Sequence, residues 1–128
     1  MERLGDRVVV RIQTPVQTDA CSEPQPDLAL LRPPLKSYAR RHPRARHTLL
    51  VVEVADSTVE SDRDDKLPHY AQTGIREAWL IDLPGQAVEV HRKPSSGTYR
   101  IVRRLARGES LSIDAFPDIR FAVDDILG

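Results

Sequence analysis

The chain has 128 residues, enough for one domain with a real core and too few for two comfortable ones; 40% hydrophobic and 30% charged residues make an ordinary folded mixture. Nineteen Lys and Arg balance 19 Asp and Glu, so the molecule as a whole carries no polyanion-binding signature. The longest apolar runs are four residues, as at Leu49 to Val52, no signal peptide opens the chain, and the lone Cys21 has no disulfide or thiolate-ligand partner; no membrane association and a cytoplasmic location are the expectation.

The charges are nevertheless sorted. Lys36, Arg40, Arg41, Arg44 and Arg46 fall in one acid-free stretch, and Arg92, Lys93, Arg100, Arg103, Arg104 and Arg107 in another. Between them, from Asp56 to Asp65, the acids Asp56, Glu60, Asp62, Asp64 and Asp65 stand against Arg63 alone. Basic clusters flanking an acidic centre suit a phosphodiester held beside a metal; a solvated surface of uneven charge gives the same pattern.

In chain order, Val8 to Gln13 is β-branched and begins to alternate, which reads as a strand. A Pro and Ser loop follows, and Pro26 hands over to the short strand "DLALL". "RPPLKSYARRHPRARH" has three prolines and no clean period, and reads as a loop with one helical turn near Tyr38. Thr48 to Val54 is apolar on both faces apart from Glu53, as a central strand should be. Ser57 and Glu60 have capping-box spacing and Gly74 is a good C-terminal stop, so a helix lies between them. Pro68 costs ~3 kcal/mol in a helix interior, which predicts either a regular helix starting near Asp64 or Asp65 or a kink. Either form stacks Lys66 and Tyr70, four apart, on one face.

"REAWLID", "AVEVHR" and "TYRIVRRL", joined by "LPGQ" and "PSSG", predict an antiparallel meander from Glu77 to Leu105. The tail from Glu109 holds a short strand or two and a last helical turn at Val123 to Leu127. The whole predicts an α/β (α+β) fold, a mixed sheet with one main helix against it, in a single domain over residues 1–128.

Glu53 is the anomaly, because burying an unpaired carboxylate is expensive. Strand alternation puts it on one face with Leu49, Val51 and Ala55. Asp27 opens the preceding strand, and if the two strands are neighbours both carboxylates converge at one sheet end, where they repel unless a cation sits between them. Mg²⁺ or Mn²⁺, hard ions that take oxygen ligands, would bind Asp27, Glu53 and the Val54 carbonyl. Lys66 would orient or deprotonate the attacking water or offset charge on the phosphorane, and Tyr70 would hold Lys66 or a phosphate. Arg40, Arg41, Arg44 and Arg46 are the candidates for nucleic-acid backbone contact.

The segments "EPQPDLALL", "LLVVEVADST" and "DRDDKLPHYAQTGIREAWLID" resemble the Uma-two family of endonucleases, within the restriction-endonuclease-like PD-(D/E)XK superfamily. The resemblance runs from about Val8 to the C-terminus. Pro26 and Asp27 match the PD pair and Glu53 the second acid; the lysine two residues after that acid falls on Ala55, and its counterpart is Lys66 on the helix. This implies a metal-dependent nuclease fold, DNA as substrate and a homodimer. Family members carry a longer N-terminal segment, so the alternative is a catalytically inactive module that binds nucleic acid or protein.

Blander roles stay open for each residue. Glu53 could pair with an arginine or Lys66, Asp27 could cap a turn, Lys66 could pair with Asp62, and Ser57 could cap the helix. Tyr70 could fill the core, as Trp79 does. His42, His47, His69 and His91 lack paired metal spacing and read as surface or loop residues.

Overall fold

A computed structural model describes residues 7–13, 15–18, 24–39, 41–57 and 59–128. Cys21 and Arg40 lie outside the described residues. Strands β1 (Val9–Ile12), β2 (Leu28–Leu31), β3 (Thr48–Ala55), β4 (Glu77–Asp82), β5 (Ala87–Ser95) and β6 (Thr98–Ala106) form one sheet in chain order. Every neighbouring pair is antiparallel except β3 and β4. Strands β7 (Ser110–Ile113) and β8 (Phe116–Ala122) make a separate hairpin, followed by a short terminal helix at Val123–Leu127. The expected mixed sheet, main helix and meander are all present.

A parallel pair needs a crossover, and the chain between β3 and β4 supplies it as the main helix. That helix starts at Val59, ahead of the Asp64 or Asp65 of the regular form and within the Ser57 to Gly74 span of the alternative. Helix α1 (Val59–Ser61) runs through a π-helical stretch (Asp62–Lys66) into α2 (Leu67–Gln72). The wider turn explains how Pro68 fits: it sits at the start of α2, after Leu67 has donated its N–H back to the Asp62 carbonyl, so the proline ring does not face a tight α-turn. The helix ends as expected at Gly74, whose φ of +85° suits glycine, with Gly74 N–H donating to Ala71 and Ile75 N–H to Tyr70.

The two sheet faces carry separate cores. On one, Leu67, Tyr70 and Ala71 of α2 pack with Val51, Ala55, Ala78 and Leu80, joined by Ala29, Leu31 and Tyr99. On the other, Leu50, Val52, Trp79, Ile81, Val88 and Val90 pack with Leu111, Ile113 and Val123 of the C-terminal hairpin and helix. Each fully buried aliphatic side chain contributes ~1.5–3 kcal/mol, so this double burial dominates the fold's stability.

Four local expectations are corrected. Leu49 belongs to the core opposite Glu53's partners Val51 and Ala55: the β2–β3 register steps from Leu30↔Leu50 to Leu31↔Thr48, and this bulge at Leu49 turns its side chain over. The arginine-rich loop has a second 3₁₀ turn at Ala45–His47 besides the one at Leu35–Tyr38. Strand β5 runs on through Pro94, leaving Ser96 and Gly97 to turn the chain. His91 is no surface residue: it is 6% exposed on β5, between Glu89 and the ring of Tyr99.

Glu77, fully buried at the start of β4, ties the hairpin to the sheet. It accepts from Trp79 Nε1 at 3.0 Å, Arg92 Nε at 2.6 Å and the Asp114 N–H at 2.8 Å, while Arg92 also reaches the Ser112 carbonyl. Glu77→Ala leaves these donors buried without an acceptor and is expected to lower unfolding free energy by ~3–5 kcal/mol in urea titrations; Glu77→Gln, which keeps an acceptor, should lose much less.

Candidate active site

Three glutamates are buried among the described residues of the central strands: Glu53, Glu77 and Glu89. Glu77 has the donors just given. Glu89 is paired to both Arg63 and Arg104, the latter at 2.9 Å, and meets His91 at 3.2 Å; desolvation pushes its carboxyl up, but hydrogen bonds with Arg63 and His91 and the Arg63 charge outweigh this and hold it below the usual range. Glu53 is served far less well. It is 1% exposed, its Oε2 accepts from the Tyr70 hydroxyl at 2.6 Å, and its Oε1 has no hydrogen bond, only the Lys66 ammonium at 3.5 Å. Burial raises the Glu53 pKa, and Tyr70 and Lys66 offset this only in part while Asp27 adds to it.

The sequence places each neighbour by simple geometry. The antiparallel register Leu28↔Val52 brings the start of β2 beside the end of β3, so Asp27 and Glu53 are adjacent as expected. Asp27 Oδ2 accepts the Val54 N–H at 2.7 Å, which fixes the carboxylate at the strand end. Val54 itself is 44% exposed, and its N–H is the donor to that carboxylate. Lys66 and Tyr70, one turn apart across the π-to-α junction, both reach back to Glu53.

Lys66 also contacts Asp62 at 3.3 Å, so its ammonium lies between two buried carboxylates. Burial opposes its charge, but Glu53 and Asp62 outweigh that and raise its pKa. A lysine held this way is a cation at neutral pH, which suits charge stabilisation and water orientation better than proton abstraction. Burial beside Glu53 likewise raises the Tyr70 pKa, so its hydroxyl remains a donor.

The sequence reading underrated two further residues. Asp62 is 5% exposed and grips the candidate lysine, for which its i,i+4 spacing was the available signal. His69, read as a surface residue, lines the same cleft and meets Thr18 Oγ1 at 2.7 Å. The cleft, of about 290 Å³, is bounded by Pro24, Gln25, Glu53, Asp65, Lys66, His69 and Tyr70. The structure does not bring the arginine loop here. Arg44 and Arg46 precede Thr48 at the other end of β3, a distance of ~16 Å or more from Glu53 at about 3.3 Å per residue; Arg41, Arg44 and Arg46 are exposed.

The donor set fits a hard divalent cation. Glu53 Oε1 is buried without a hydrogen bond, and its carboxylate neighbour Asp27 leaves the pair short of positive charge. Among the described residues, no group of three His, Cys, Asp or Glu side chains gathers around one point. Any ion would therefore complete its shell with oxygens from backbone, water or substrate.

A raised carboxyl pKa in the folded state favours the protonated form. Its benefit is complete below the ordinary glutamate range and disappears as pH rises through the folded pKa. In chelator, Glu53→Gln is thus expected to melt higher than wild type near pH 8, with the gap closing as pH falls toward 4, in thermal scans across that range. A wild-type protein more stable than the variant at both ends would show that Lys66 and Tyr70 satisfy Glu53 fully.

No curated protein matches the chain. Among solved structures, it is similar to "a putative nuclease belonging to DUF820 from Anabaena variabilis ATCC 29413", with a TM-score of 0.75 and 15% sequence identity, over 98% of this chain and 70% of that one. The shared architecture is that of a nuclease-like fold. None of the described helices is long and apolar enough to cross a membrane. The family model for Uma2, described as "Putative restriction endonuclease", matches residues 1–124, and the chain belongs to that family.

Proposed function

We propose that this protein is a divalent-metal-dependent endonuclease that hydrolyses DNA phosphodiester bonds at the Glu53 cleft. The observation that carries this reading is Glu53 Oε1: a buried carboxylate oxygen without a hydrogen bond, beside a lysine, in an open cleft. A purely structural carboxylate in this protein looks different, as Glu77 and Glu89 demonstrate. Membership of a family described as restriction endonucleases supports the same reading.

Asp27 and Glu53, with the Val54 carbonyl, would hold Mg²⁺ or Mn²⁺, which would supply a polarised phosphoryl oxygen and a more acidic water. Tyr70 donates to Glu53 Oε2, which orients the carboxylate and leaves Oε1 for the cation. Lys66 stays protonated and offsets the negative charge that builds on the phosphoryl oxygens, while Asp62 holds it in place. His69 forms part of the cleft wall beside it. Arg41, Arg44 and Arg46, a strand's length away, contact the backbone of a duplex beyond the scissile bond, as does Arg40 in this reading. The reading includes a cytoplasmic homodimer, which would set one site against each DNA strand.

Plasmid nicking with Mn²⁺, Mg²⁺ or chelator tests it. Metal-dependent cutting should be abolished by Glu53→Gln, fall ~10²–10³-fold in Lys66→Ala and fall less in Tyr70→Phe. DNA binding should weaken steeply with salt, with a shallower slope once Arg44 and Arg46 are replaced. A second reading, an inactive nucleic-acid-binding or protein-binding module, is favoured by the lack of a three-ligand cluster among the described residues. Folded wild type that binds DNA but cuts it under no metal would establish that reading instead.

A further inference from the structure

The second basic stretch of the sequence takes no part in the carboxylate site, and part of it meets the C-terminal hairpin on the opposite face of the sheet. Arg92 of β5, Arg103 of β6 and Arg120 of β8 line a cleft of about 70 Å³ together with Ser110, Leu111 and Ser112. The β5–β6 register sets Arg103 directly across from Val90, on the face that Val90 shares with Leu111.

The charges in this cleft do not balance. Arg92 is neutralised by Glu77 and braced by the Ser112 carbonyl. Arg120 has no carboxylate: its guanidinium donates to Ser110 Oγ at 2.9 Å and to the Ser110 carbonyl at 3.3 Å. Among the described residues, the Arg103 guanidinium has neither a hydrogen-bond nor an ion-pair partner. No carboxylate lines the cleft, so two positive charges face it uncompensated. Guanidinium forks match the paired oxygens of a phosphate, and Ser110 Oγ, already accepting from Arg120, has its own proton left to donate. The space suits one compact tetrahedral ion and excludes a nucleobase.

We propose that this cleft is a phosphate-binding site in which Arg103 and Arg120 grip one phosphoryl group and Ser110 donates to it. The site lies on the face away from Glu53 and does not depend on the catalytic reading. Its ligand is free phosphate, the terminal phosphate of an oligonucleotide, or an internal phosphate of the nucleic-acid backbone. The competing account is that Arg103 only guards the edge strand β6 against pairing with other chains.

Isothermal titration calorimetry at low ionic strength and in chelator decides between them. The probes are inorganic phosphate, a 5′-phosphorylated oligonucleotide and the same oligonucleotide without its terminal phosphate. The proteins are wild type, Arg103→Gln, Arg120→Gln and, to separate the cleft from the carboxylate site, Glu53→Gln. Saturable one-to-one binding of a probe, weakened about tenfold or more by either arginine substitution and unchanged in Glu53→Gln, is expected. Preference for the phosphorylated oligonucleotide identifies a terminal phosphate as the ligand. Equal, Arg103-dependent binding of both oligonucleotides identifies internal phosphates, and binding of inorganic phosphate alone identifies the free ion. Absence of saturable binding with all three probes, or affinities indifferent to Arg103, overturns the site. Arg103 is exposed, so its variant keeps the fold, and circular dichroism verifies this.

Discussion

The parallel pairing of β3 with β4 is the constraint on which the rest depends. Parallel neighbours cannot be joined by a hairpin, so residues between Ala55 and Glu77 must cross the sheet, and they do so as a helix packed on one face. That crossover lays Lys66 and Tyr70 over the end of β3, where Glu53 points up from the sheet. The antiparallel return of β2 against the other side of β3 then delivers Asp27 to the same place. The candidate site is thus a junction of three elements held by one central strand.

What distinguishes that junction is the contrast among three buried glutamates in a single sheet. Glu77 and Glu89 are surrounded by donors and cations, and both knit elements together: Glu77 joins the hairpin to β4, and Glu89 joins the π-helical stretch to β6. Glu53 has one hydroxyl and one ammonium shared with Asp62. Folding does not gain from leaving a carboxylate so poorly partnered, and groups perturbed in this way collect at functional sites. The π-helical turn belongs to the same picture. It accommodates Pro68 and keeps Asp62, Lys66 and Tyr70 in register along one side of the helix.

The sheet also separates chemistry by face. The helix side carries the carboxylates and their lysine, while the hairpin side carries arginines whose charges are only partly matched. Zero net charge conceals this division, which is why the balance of the whole chain says little about what each surface attracts.

The sequence by itself determined the strands, the meander, the final helix at Val123–Leu127 and the placing of Lys66 and Tyr70 on one helix face, because each rests on local periodicity, turn residues or i,i+4 spacing. It also singled out Asp27 and Glu53, since a charged residue in an apolar strand and an acid at a strand entrance are visible without coordinates. Only the tertiary structure decided what those charges meet. The bulge that turns Leu49 over and the burial of His91 arise from register and packing between distant segments, which a local pattern does not encode. For the same reason the arginines divide only in three dimensions: Arg92, Arg63 and Arg104 are consumed by buried acids, while Arg103, next to Arg104 in sequence, is left facing a cleft.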